Sequence, residues 1–127
     1  MYSEKVLEHF RSPKNLGELE VYDGVGYVGD PGCGDHLKVW IKVDDDRIKE
    51  IAFKCQGCPA AIATSSMMTE LVKGMKIDEA SKITDHLISV SLGGLPEPKE
   101  HCSNLGASAL RAAIDDYYSR ERLKEDS

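Results

Sequence analysis

The stretch HLKVWIKVDDDRIKEIAFKC, residues 36–55, narrows what this chain can fold into more than any other. Leu37, Val39, Ile41 and Val43 alternate with Lys38, Trp40 and Lys42, the two-residue period of a strand with one buried face. DDDR spells a turn, and RIKEIAFKC runs back with Ile51, Phe53 and Cys55 on one side, opposite Ala52 and Lys54. So short a connection leaves no room for a crossover, so the two strands pair antiparallel. Upstream, Tyr22 to Val28 carries another strand signal, interrupted at Gly24 and Gly26, and DPGCGD follows as a turn.

Helical patterns surround this sheet. SEKVLEHFR places Val6, Leu7 and Phe10 at helical spacing with Ser3 as N-cap, and SPKNLG ends it. After Pro59, AAIATSSMMTELVKGM reads as a helix with a small-residue first half, stopped near Gly74. IDEASKI and TDHLISVSLG predict two shorter helices capped by Asp78 and Thr84, and GGLPEPKEH a loop stiffened at Pro96 and Pro98. From Ser103 a last helix carries Leu110, Ala113, Ile114 and Tyr117 on one face, fraying over RERLKEDS. Strands come first and helices afterwards, which predicts the α+β class: a small antiparallel sheet of about three strands packed by helices. No repeat or linker divides residues 1–127, so a single domain with one core is expected.

Composition restricts function. With 41% hydrophobic and 30% charged residues the chain has the make-up of a soluble globular protein. No run approaches the roughly 18 apolar residues of a membrane helix, and MYSEKVLEHF has no signal-peptide core, so a cytoplasmic location is expected. A net charge of −6 without any basic stretch argues against nucleic acid as a partner. In a reducing cytosol, four cysteines point to metal or sulfur chemistry before disulfides.

The four differ in setting. Cys33 lies in PGCGD, between glycines that allow close backbone approach to a bound ion, and Asp35 two positions on offers an oxygen ligand. Cys58 precedes Pro59, a residue suited to the first helical position, which puts the thiol at a helix N-terminus where the dipole favours thiolate. Cys102, next to His101, opens the last helix in the same way, and His101 is a candidate imidazole ligand. Cys55 instead shares the apolar strand face with Ile51 and Phe53 and reads as a small buried hydrophobe, so the C-x-x-C spelling supplies half a site.

Three segments carry a resemblance: Cys33-Gly34-Asp35, then Gly57-Cys58-Pro59-Ala60-Ala61-Ile62-Ala63-Thr64-Ser65-Ser66, and His101-Cys102-Ser103, with HFRSPKNLG near the start. Over nearly its full length the chain resembles the IscU/NifU-type iron–sulfur cluster assembly scaffolds. It departs from that pattern in the additional Cys55. Leu95-Pro96-Glu97-Pro98-Lys99 stands where the family has Leu-Pro-Pro-Val-Lys, which leaves Hsp70-type chaperone recruitment open. It also lacks the insertion of the zinc-dependent SufU branch between Cys58 and Cys102.

The resemblance implies a carrier rather than an enzyme. Sulfur would arrive as persulfide from a cysteine desulfurase, with Cys33 and Cys102 both open as first acceptor. A transient [2Fe-2S] cluster would be built on Cys33, Cys58 and Cys102 and passed to apo iron–sulfur proteins. Soft thiolates hold such clusters, and Asp35 as a harder, weaker fourth ligand would make the cargo removable, with His101 or a partner's group as the other candidates. Zinc suits the same ligands and is the alternative occupant of the cluster-free form. Two other readings stand beside this one: a structural zinc interaction module, and a zinc-assisted sulfurtransferase. A homodimer is left open.

Overall fold

A computed structural model describes residues 3–30, 34–94 and 103–125. The elements run α1 (Glu4–Arg11), β1 (Gly24–Asp30), β2 (Asp35–Asp44), β3 (Arg47–Gln56), α2 (Pro59–Val72), α3 (Ile77–Ala80), α4 (Asp85–Ser91) and α5 (Ser103–Glu125). The three strands form one antiparallel sheet in the order β1-β2-β3, as the alternation predicts.

The β2–β3 hairpin turns on Asp45 and Asp46, whose φ angles of 53° and 62° are those of a type I′ turn. Its two central positions need positive φ, which aspartate tolerates better than most side chains. A register shift between Lys42 and Val43 lies just before the turn. Beyond it Leu37, Val39, Ile41, Ile51 and Phe53 all point to the helical side, each at most 3% exposed. Full burial of a side chain such as Phe53 contributes about 1.5–3 kcal/mol. On the opposite face Trp40 is also buried, with the Lys38 ammonium 5.0 Å from its ring centre.

Gly24 and Gly26 do not interrupt β1 as their composition suggests; both lie inside it. A Cβ at Gly24 would stand 2.3 Å from the Ala113 carbonyl oxygen, and one at Gly26 would stand 2.4 Å from that of Ala109. The glycines let α5 lie directly on the strand. Leu110, Ala113 and Ile114 thereby enter the core with Tyr117 packed against it, the helix face expected from the sequence, and Ala109 joins them. That helix continues through Glu125, so the RERLKE segment is helical rather than frayed.

The outer edge of β3 is covered at two places. Phe53 exchanges backbone hydrogen bonds with Asn15 and Gly17 (3.0 and 2.8 Å), and Ile48 does so with Met75 and Gly74 (3.0 and 2.7 Å). Such cover guards an edge strand against stray pairing. In α1 the Ser3 hydroxyl caps the helix by accepting from Val6 N–H. The buried side holds Val6 and His9, while Phe10 is 39% exposed, contrary to the expected apolar stripe. His9 turns inward because its Nδ1 reaches Ser66 Oγ at 2.7 Å, and Lys14 N–H donates to the same oxygen at 2.8 Å. Thr84 caps α4 as expected, accepting from Leu87 N–H. Asp78 does not cap α3; Lys76 holds that position and Asp78 lies within the helix. The segment with Pro96 and Pro98 lies outside the described residues.

Candidate functional site

Asp35 opens β2 in phase with Leu37, Val39 and Ile41, so the strand's own period turns a carboxylate toward the core. It is 3% exposed. An isolated buried carboxylate is costly, and such groups persist where polar neighbours or a ligand answer them. Gly57 provides the space: a Cβ there would lie 2.5 Å from Asp35 Oδ1 and 2.7 Å from its Cγ. The carboxylate therefore occupies the space a side chain at Gly57 would take, next to the start of α2.

Cys58 is the N-cap of α2 and Pro59 follows in the first turn, as the sequence predicts. The Cys58 thiol does not cap its own helix. It donates instead to Asp35 Oδ2, with sulfur and oxygen 3.8 Å apart. A soft sulfur and a harder oxygen thus converge from two elements 23 residues apart in sequence. The helix dipole acts on the sulfur from behind.

Cys55 takes the other part of the C-x-x-C. It is half-buried, packs against the core, and hydrogen-bonds Ser65. Burial pushes its thiol from an ordinary value of 9.0 up to about 11; the Ser65 bond lowers it, and the nearby Asp35 and Cys58 raise it further. Cys55 is therefore a protonated thiol beside the Asp35–Cys58 pair.

Of the site residues read from the sequence, the structure brings together Asp35 and Cys58. Cys33, His101 and Cys102 lie outside the described residues. Among the described residues, no group of three Cys, His, Asp or Glu side chains is placed to hold a metal ion. The surrounding frame is informative. Asp30 pairs with Asp35 across the connection that includes Cys33, and Gln56 pairs with His36 at the same end of the sheet. Since Ala113 stands over Gly24 and Ala109 over Gly26, α5 runs antiparallel to β1 and begins toward the Asp30 end.

Sequence reasoning missed Gly57 as a site residue, because only the folded approach of Asp35 makes its bareness matter. The burial of Asp35 was signalled by its phase with Leu37 and Val39. Also unforeseen is a groove of about 510 Å³ on the outer sheet face beside the site, lined by Tyr27, His36, Lys38, Lys54 and Gln56 among others. There the Tyr27 hydroxyl lies 2.9 Å from His36 Nδ1.

A three-stranded antiparallel sheet packed by helices, carrying a thiol–carboxylate pair at one end, defines a small α+β protein with soft and hard donors side by side. The model of the NifU-like N-terminal domain matches residues 1–124, and the chain belongs to that family. It is 54% identical over 129 residues to the iron-sulfur cluster assembly scaffold protein IscU 1 of Archaeoglobus fulgidus, covering 98% of this chain and 84% of the relative. It is 48% identical over 127 residues to the iron-sulfur cluster assembly scaffold protein IscU of Escherichia coli, covering 97% and 98%. Among solved structures, the N-terminal part of a NifU-like protein from Brucella abortus superposes with a TM-score of 0.73 at 21% identity, covering 92% of this chain and 94% of that one. That similarity concerns the fold.

No helix among the described residues is long and apolar enough to cross a membrane.

Proposed function

We propose that this protein is an iron–sulfur cluster assembly scaffold: it accepts sulfur from a cysteine desulfurase, holds a transient [2Fe-2S] cluster as cargo, and passes it to apo-proteins in the cytoplasm. The single observation that carries the reading is the Cys58–Asp35 pair, a helix-terminal sulfur 3.8 Å from a buried carboxylate oxygen. Cys33 and Cys102 complete the thiolate set, and the scaffold names of the relatives at about half identity support the same role.

The chemistry follows from the donors. A scaffold thiolate attacks the terminal sulfur of the donor's persulfide; the donor's S–S bond breaks and its thiolate leaves, so one sulfur changes hands without net oxidation. Two electrons from an added reductant then release that sulfur as sulfide; thiolates retain it with iron, while a carboxylate oxygen, harder than sulfur, exchanges more readily. Three strong ligands and one weak one suit a cargo that must depart. Cys55, protonated and packed into the core, stands apart from this ligand set.

The test supplies desulfurase, cysteine, ferrous iron and reductant anaerobically, then adds an apo-ferredoxin. A cluster chromophore should grow on the protein and move to the acceptor. In Asp35→Ala the chromophore should form but transfer several-fold more slowly, or stay. Retained zinc with no chromophore formed would contradict the scaffold reading and leave a zinc module or zinc-assisted sulfurtransferase. Transfer from Asp35→Ala at the wild-type rate would remove the weak-ligand role.

A further inference from the structure

The bareness of Gly57 has a functional reason. Its φ is not in the left-handed region, so its backbone is open to any residue and the glycine is not there for conformation. At such a position alanine ordinarily stabilises a protein, by about 0.4–1 kcal/mol, because the unfolded chain loses freedom. Here a methyl would instead meet Asp35 Oδ1 at 2.5 Å and Cγ at 2.7 Å on one side, and the Ala61 Cβ at 3.1 Å on the other. Ala61 is fixed in the first turns of α2 and fully buried, so it cannot retreat. Asp35 is 3% exposed but is a side chain, and it is the group that must move.

We infer that Gly57 is a positioning residue: the space left by its missing side chain sets where the Asp35 carboxylate stands relative to Cys58, and with it how readily a bound cluster is released. The inference rests on the scaffold reading above, and deepens it by naming what holds the weak ligand in place. It predicts a coupling between Gly57 and Asp35 that a merely structural glycine would not show.

Four proteins decide it: wild type, Gly57→Ala, Asp35→Ala and the double variant. The first readout is the melting temperature without metal. Gly57→Ala should melt about 3–8 °C below wild type, the cost of overpacking a filled site. Added to Asp35→Ala, the same change should be neutral or raise the melting temperature, because the methyl then enters the space the carboxylate vacated. The second readout is the half-time of transfer from the reconstituted protein to apo-ferredoxin. Gly57→Ala should lengthen it about fivefold, as expected for weakening one polar contact to a charged group, and the double variant should be no slower than Asp35→Ala.

An equal fall in melting temperature in both backgrounds would overturn the inference, as would wild-type transfer from Gly57→Ala when Asp35→Ala is slow. If Gly57→Ala fails to fold, folding of the double variant supports the clash and its failure refutes it. Should Asp35→Ala itself transfer like wild type, the ligand reading falls and takes the release part of this inference with it, while the melting comparison still decides the steric part.

Discussion

At pH 8 a thiol held at about 11 is thiolate in about one molecule in a thousand, and this is the condition of Cys55. Three residues on, Cys58 has a helix N-terminus behind it and a carboxylate in front. Cys55 should therefore resist iodoacetamide in the folded protein at neutral pH and become reactive only as the pH rises toward 11, which mass spectrometry of alkylated peptides would follow. Linkage gives the sign for stability. The folded state favours the protonated thiol, so this contribution is whole below about pH 9 and is lost as the pH rises from there toward 11. In Cys55→Ser that alkaline loss should shrink, visible in urea midpoints at pH 8 and pH 10. At this scale much was legible: the two-residue period put Cys55 on the apolar face, and Pro59 put Cys58 at a helix start. The same period runs one step further back to Asp35 and turns it into the core, which the turn-like spelling DPGCGD conceals. The bareness required at Gly57 was not legible, since it arises from a contact across 22 positions that no local pattern records.

Between elements, α5 lies directly against β1. Nothing flexible separates them at Gly26, where an added Cβ would meet the Ala109 carbonyl oxygen at 2.4 Å and the Ala113 nitrogen at 2.5 Å, both backbone atoms. Gly26→Ala should cost about 3 kcal/mol, near the top of the usual range for overpacking, read as a fall in the urea midpoint at unchanged slope. Gly29→Ala is the contrast: its Cβ would press on the His36 ring at 3.0 Å and touch the Asp35 carbonyl oxygen at an ordinary 3.7 Å, so the ring gives way at the expense of its Tyr27 contact and a smaller shift is expected. The sequence reading treated Gly24 and Gly26 as breaks because glycine weakens an isolated strand. A helix laid against the strand reverses that meaning, and the partner helix lies more than 80 residues further on. Helix type and order were readable from periodicity and caps, as at Thr84, where a side-chain oxygen precedes a regular apolar run. They failed where tertiary contacts overrode the pattern: His9 turns in to reach Ser66 and leaves Phe10 outside.

Across the whole molecule, the sheet organises the chemistry. The Asp30–Asp35 pair and the end of β3 fall at one end, where the N-terminal turn of α2 and the start of α5 also point. Cys58 and Asp35, 23 positions apart, thus come to one place without any local motif joining them. The fold class was legible because alternation and turn chemistry are local. The meeting of Cys58 with Asp35 was legible only through family resemblance, because spacing alone said nothing of which junctions meet. The groove of Tyr27, His36, Lys38 and Lys54 shows the same limit, being assembled from three strands whose residues look unremarkable in sequence.

The central claim is that Cys33, Cys58 and Cys102 together hold one cluster and Cys55 does not. Anaerobic reconstitution of the four single Cys→Ser variants, read by ultraviolet–visible and Mössbauer spectroscopy, tests it most directly. The expected result is a [2Fe-2S] spectrum in wild type and Cys55→Ser, and its loss in Cys33→Ser, Cys58→Ser and Cys102→Ser. A stable cluster in Cys58→Ser, or a Cys55→Ser protein as colourless as the other three, would contradict the account.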